Sequence, residues 1–202
     1  MLAVICSVMI GTNPAITNQE PFPVLEQVQA VDETREDYLR YRLKAPGTKI
    51  TAGQAEALID APLEDVMQVL RQYESYKEFL PFFTYSKLLK MQDGVAELRL
   101  KAKILGGTVE IDTFVEAHET RLRDGGNAIT LKFIRGNIER FDARFRAYAI
   151  DDKRTFVVFY LMIDPDLWFA RNATLSEYNW VNCGRTVRAL RARVLGKHED
   201  TQ

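Results

Sequence analysis

Asp93 to Val115 reads DGVAELRLKAKILGGTVEIDTFV, and this stretch decides the fold class. Leu98, Leu100, Ala102 and Ile104 fall on alternate positions and share one face. Val109, Ile111, Thr113 and Val115 do the same, opposite Glu110, Asp112 and then Glu116. A period of two is that of a half-buried strand. Gly106-Gly107 between the two runs is a turn signal, so the strands pair antiparallel.

The same pattern continues outward. Turn signals stand at Asp93-Gly94, Gly106-Gly107, Asp124-Gly125-Gly126, Gly136-Asn137 and Asp151-Asp152, 12 to 18 residues apart. Each interval holds one strand and is too short for a helical crossover. Phe141, Ala143, Phe145 and Ala147 alternate with Arg140, Asp142, Arg144 and Arg146. Phe156 to Ile163, FVVFYLMI, is apolar on both faces, which predicts a central strand covered on both sides. Upstream, Ile50 to Ile59 reads as a first strand weakened by Gly53. Pro62 then opens a helix with Leu63, Val66, Met67 and Leu70 on one face, and Tyr73 to Leu80 forms a second short helix closed by Pro81. After Asp164-Pro165-Asp166, Leu167 to Leu195 carries one long helical pattern. Trp180, Gly184, Val187, Leu190 and Val194 line up along it. The expected fold is α+β: a curved antiparallel sheet of about seven strands around a long C-terminal helix, spanning residues 47–196.

Residues 31–46 are expected to hold a short N-terminal helix over Asp32 to Leu43. Asp32 would cap it, acidic residues fill its first turn and arginines follow, as the helix dipole prefers, with Pro46-Gly47 ending it. Residues 197–202 form a polar tail. Residues 1–30 read as a signal-like segment and linker. Met1 to Ile10, MLAVICSVMI, has only Ser7 that is not apolar. Its length is half of the ~20 residues a membrane span needs and suits the apolar region of a secretory signal. No Lys or Arg precedes the run, and Ala15 is an indifferent cleavage residue with Asn13 two positions before it. Pro14, Pro21 and Pro23 mark Gly11 to Ala30 as linker. The expectation is an atypical export signal and an exported or periplasmic protein. The alternative is a cytoplasmic chain whose apolar start packs on the domain. Loss of the segment would leave Cys183 as the one cysteine, with no intramolecular disulfide.

Composition removes several function classes. The chain has 202 residues, 47% of them apolar, and a net charge of −1, without the cationic excess of a dedicated nucleic-acid binder. Cys6, Cys183, His118 and His198 do not have the spacing of a zinc site. The usual nucleophile, phosphate-loop, metalloprotease and dinucleotide motifs are absent from the sequence, and no cofactor is expected.

The element order is strand, two short helices, a six-strand meander and a long helix. It resembles the helix-grip fold of the START/Bet v 1-like superfamily. Tyr73-x-x-Tyr76-x-x-Phe79-Leu80-Pro81, followed by Ser86-Lys87-Leu88-Leu89, resembles the polyketide cyclase/dehydrase and coenzyme Q-binding branch. Asp164-Pro165 and the arginine-bearing last helix also fit, so the resemblance covers roughly residues 49–196. What it implies is an apolar cavity between sheet and helix, and a lipid, quinone or polyketide-like small molecule as partner.

Alternation then assigns the lining of that cavity. Leu98, Leu100, Val109, Ile111, Phe133, Phe141, Phe145 and Phe159 are the expected wall, with Phe82, Phe83, Trp168 and Phe169 near the entrance. A carrier needs nothing more, because burial of apolar ligand surface drives binding. A cyclase or dehydratase would need a cavity-facing acid or base, for which Tyr148, Tyr160 and Arg140 are the candidates. A ligand-free interaction module would use an exposed sheet edge. His118, at a strand end, and the acidic row Glu110, Asp112 and Glu116 read as solvated surface. Cys183 reads as a small core residue. Arg185, Arg188, Arg191 and Arg193 suit either a solvated helix face or a transient contact with anionic lipid heads. Oligomeric state is not legible.

Overall fold

A computed structural model describes residues 38–165, 167 and 170–196. The signal-like segment, the polar tail, Trp168 and Phe169 lie outside the described residues.

Eight strands form one antiparallel sheet: β1 (Leu39–Lys44), β2 (Thr51–Ile59), β3 (Phe83–Gln92), β4 (Val95–Ile104), β5 (Val109–Arg121), β6 (Asn127–Gly136), β7 (Arg140–Ala149) and β8 (Thr155–Asp164). Their spatial order is β1-β2-β8-β7-β6-β5-β4-β3. The six-strand meander is therefore continuous, and β8 closes it against β2. Helix α1 (Leu63–Leu70), a 3-10 turn (Tyr73–Ser75) and the one-turn helix α2 (Tyr76–Phe79) carry the chain from β2 to the far edge. The long helix α3 (Asn172–Val194) returns across β2 and β8. The predicted turns fall between strands, except that Gly136 of the Gly136-Asn137 signal is the last residue of β6, and Gly94, Gly106, Gly107 and Gly125 are at positive φ. The predicted central strand has β2 on one side and β7 on the other, and only Tyr160 and Asp164 along it are not buried.

The predicted helix over Asp32 to Leu43 is corrected where the structure describes it. Leu39 to Lys44 is an edge strand, and it supplies the eighth strand. Period two outweighs the charge gradient here. Leu39 and Leu43 point to the outer face of the sheet, where they pack on apolar clusters. Arg40 and Arg42 point the other way and lie over the Trp180 ring, 3.7 and 4.5 Å from its centroid. A helix would have scattered these two sets around its axis.

The long helix is also turned relative to expectation. Asn179, Cys183, Val187 and Leu190 are its sheet-facing line, all buried. Trp180 and Gly184 instead face β1: a Cβ at Gly184 would come within 2.3 Å of the Tyr38 ring. Gly53, which weakens β2 as a strand, is the point where helix and sheet touch. A Cβ there would meet Asn179 O at 2.4 Å and Cys183 Sγ at 2.5 Å. Asn179 secures the same contact. Past the last β2–β8 pair, Gly53 with Leu161, its Nδ2 donates to Thr51 O (3.1 Å) and Ile163 O (3.3 Å), and its Oδ1 accepts from Ile163 N (3.1 Å).

On the outer face, Glu56 is 1% exposed although it is ionisable. Gln54 Nε2 donates to its Oε1 at 2.9 Å. Burial pushes its carboxyl above the ordinary glutamate range, against the hydrogen bonds of Gln54 and Tyr41 and the charge of Arg146. The folded state thus holds this proton more tightly than the unfolded chain. Stability from this group is full below the unfolded pKa of about 4.3 and is lost as pH rises through the raised value. Glu56→Gln is expected to be more stable than the parent by about 1–2 kcal/mol at pH 7–8. The gap should close towards pH 4 in urea melts run across that range. A constant gap would remove the titration as its cause.

Candidate functional site

The concave face of the sheet is built by the alternation that fixed the strands. Its inward positions are Ala96 to Ile104 on β4, Val109 to Ala117 on β5, Ile129 to Phe133 on β6, Phe141 to Ala147 on β7 and Val157 to Ile163 on β8, taken every second residue. All are apolar except Thr113, whose hydroxyl is directed at Arg135 O (3.4 Å). Ser86 on β3 donates to Tyr73 O, and Thr155 at the start of β8 donates to Ala61 O at 2.8 Å. These buried hydroxyls are spent on backbone carbonyls. Charge gathers at the rim, where Arg71 Nε and Nη2 grip Glu119 at 2.9 and 2.7 Å.

Three of the predicted wall residues and two of the predicted entrance residues come together around one void. Phe82 and Phe83 arrive from the segment after α2, Phe141 and Phe145 from β7, and Phe159 from β8. The Phe82 and Phe83 rings are 4.5 Å apart between centroids, and the Phe145 and Phe159 rings 4.3 Å. Leu80, Leu131, Ala143 and Leu161 complete the wall and were missed. Leu131, Ala143 and Leu161 occupy the same inward positions as the aromatics, so alternation already contained them. Choosing the large rings passed over the small and aliphatic members of each row.

Leu98, Leu100 and Ile111 are buried in the same core, with Val109 and Phe133 packed against it, but they do not border this void. Its volume is only about 10 Å³, the space of one water. The 300–1,000 Å³ typical of ligand pockets is not open around these rings. A molecule larger than one water could enter here only by parting them.

The three acid–base candidates stand elsewhere. Arg140, Tyr148 and Tyr160 occupy the other parity of β7 and β8 and project from the outer face, opposite to Phe141, Phe145 and Phe159. There Arg140 donates to Pro46 O at 2.8 Å, and Tyr148 packs with Phe156 and Val158. The acidic row lies on the outer face as expected. Arg99 binds Asp112 through two hydrogen bonds of 2.9 and 2.6 Å and holds its carboxyl below the ordinary range. His118 sits 3.0 Å from Glu116 at an open outer cleft of about 260 Å³ shared with Lys90, Asp93 and Glu97. Cys183 is buried, and burial raises its thiol pKa, which makes it unreactive.

This constellation is an apolar, helix-covered concave sheet whose aromatic side chains meet at one place. The family model for polyketide cyclase/dehydrase and lipid transport proteins matches residues 59–175, more than half of the chain. The chain belongs to that family. No curated protein matches the chain in sequence. Among solved structures it is similar to a STAR-related lipid transfer protein from Xanthomonas axonopodis, at 18% identity and a TM-score of 0.70, covering 79% of this chain and 94% of that one. It is also similar to human StAR-related lipid transfer protein 5 (12% identity, TM-score 0.65, 87% and 98% covered). A third likeness is to the ZhuI aromatase/cyclase of a Streptomyces species (16% identity, TM-score 0.60, 71% and 93% covered). At these identities the structures attest the START-type helix-grip fold.

Proposed function

We propose that the protein binds a hydrophobic small molecule, lipid-, quinone- or polyketide-like in bulk, between the concave sheet face and α3, and carries it without transforming it. The observation that carries this reading is the uniformity of the inward face of β4 to β8: row after row of apolar side chains, with the hydroxyls of Ser86, Thr113 and Thr155 turned to backbone. The lipid transfer names of two structural neighbours and the family description agree with it. The cyclase alternative loses its three named groups to the outer face. Binding would open the Phe82–Phe83 and Phe145–Phe159 contacts. Burial of ligand surface at about 25 cal/mol per Å² would repay that opening before ordering costs.

The test is a titration with 1,6-diphenylhexatriene, an uncharged apolar fluorophore. Saturable binding is expected. Ala143→Leu, which adds volume at the void wall, should weaken it at least about tenfold, whereas Tyr160→Phe on the outer face should leave it unchanged. Unsaturable partitioning, or full binding by Ala143→Leu, would sink the carrier reading. Native mass spectrometry of protein purified from its source then identifies what it retains.

A further inference from the structure

One edge of α3 carries polar residues that the packing of the helix does not explain. Tyr178, Asn182 and Thr186 are spaced i, i+4 and i+8 and so run along one side of the helix. That line adjoins the sheet-facing line of Asn179, Cys183, Val187 and Leu190. Thr186 is fully buried and Asn182 nearly so.

Their hydrogen bonding differs from that of Asn179, whose amide is spent on strand backbone and on the Met162 sulfur. Thr186 Oγ1 is buried and has no hydrogen-bond partner among the described residues. A helical threonine has an easy acceptor in the carbonyl four residues back, here Asn182 O, and this one does not take it. Asn182 Nδ2 donates to Tyr178 O at 2.8 Å, one turn back along the same line. Leaving a buried hydroxyl unpaired lowers stability, and valine has the same shape without that cost. Polar groups kept in the interior against stability are typical of sites that await a partner. Among the described residues the Tyr178 hydroxyl is also unpaired, but its residue stands about 12 Å back along the axis and helical side chains lean toward the N-terminus, away from Thr186.

We propose that Thr186 is the polar anchor of the ligand site and takes an uncharged hydroxyl group at one end of an otherwise apolar ligand. The proposal rests on the hydrophobic-carrier reading above. An alcohol is complementary to the threonine hydroxyl, since each can donate to the other or accept from it. A phosphate or carboxylate is not, because the inward strand positions from Ala96 to Ile163 named above bear no cation to offset its desolvation.

The experiment compares two probes of one chain length, 12-(pyren-1-yl)dodecan-1-ol and 1-dodecylpyrene, by fluorescence titration. Thr186→Val is expected to weaken the alcohol about five- to tenfold and to leave the hydrocarbon within about twofold. Thr186→Ser should restore the alcohol. Without probe, Thr186→Val should melt at or above the parent temperature, which loss of a structural hydrogen bond would not produce. Equal changes for both probes, or no change for either, overturn the anchor while leaving the hydrophobic site standing. If neither probe binds the parent protein, the anchor and the carrier reading fall together.

Discussion

Gly53→Val is expected to cost at least about 3 kcal/mol and to leave little folded protein at 37 °C. The first atom of any side chain at this position would sit 2.4 Å from Asn179 O and 2.5 Å from Cys183 Sγ. One neighbour is helix backbone and cannot rotate away. Relief therefore requires α3 to lift from β2, which breaks the Asn179 bonds to Thr51 and Ile163 and opens the core around Val187 and Leu190. Thermal melts and far-ultraviolet circular dichroism measure the outcome. Pairing Gly53→Ala with Cys183→Gly separates the two contacts: the double variant should recover only the part of the loss owed to sulfur. A Gly53→Val protein that melts within a few degrees of the parent would show that the helix does not seat on this residue.

Leu190→Asp is the second large effect. Leu190 is fully buried on the sheet-facing line of α3, near its C-terminal end. The substitution removes a leucine from the core and buries a carboxylate among apolar side chains, where it must take up a proton or draw water inward. A loss of about 3–5 kcal/mol is expected in urea unfolding at pH 7, with part of it recovered at pH 4 as the carboxyl is protonated. Arg185→Asp reverses a charge on the exposed side of the same helix and should stay within about 0.5 kcal/mol of the parent. Similar stability for Leu190→Asp and Arg185→Asp would mean that this face is solvated. The two experiments bear on function as well, because both sever the helix from the sheet it must cover to enclose a ligand.

The turn positions, and the inward or outward direction of the alternating rows on β4, β5 and β7, were written in the sequence. The reason is that a period of two survives any change in how strands are arranged: Phe141 and Phe145 share a face wherever β7 lies. Burial of Val187 and Leu190 followed likewise from helical spacing. The edge strand β1 was less accessible, because Asp32 to Leu43 carries two signals at once. Its charge gradient suits a helix, and its Leu39-Arg40-Tyr41-Arg42-Leu43 alternation suits a strand. A free hydrogen-bonding edge on β2 and the Trp180 ring decided between them, and both are tertiary objects. The rotation of α3 was hidden for a related reason. Trp180 and Gly184 look like core in one dimension, yet the part of the sheet beside them is its edge strand β1, with Arg40 and Arg42 lying over the Trp180 ring.

The site divides along the same line. Sequence by itself determined that the alternating strands β4, β5 and β7 each have one apolar face, and which positions compose it, since that depends on residue type and parity, whereas β8, apolar on both faces, took its direction from its pairing. It could not set which of those positions meet. The Phe82, Phe83, Phe145 and Phe159 rings converge, while Leu98, Leu100 and Ile111 pack elsewhere in the same core, because sheet curvature and the path of the chain after α2 bring distant rows together. Nor could it set whether a polar side chain is satisfied. Asn179 and Thr186 look alike as polar residues in a helix. Only the strand ends lying against the first, and the absence of any partner beside the second, distinguish a structural clamp from a hydroxyl left unpaired. Alternation is a property of the chain, whereas convergence and hydrogen-bond satisfaction are properties of its neighbours in space.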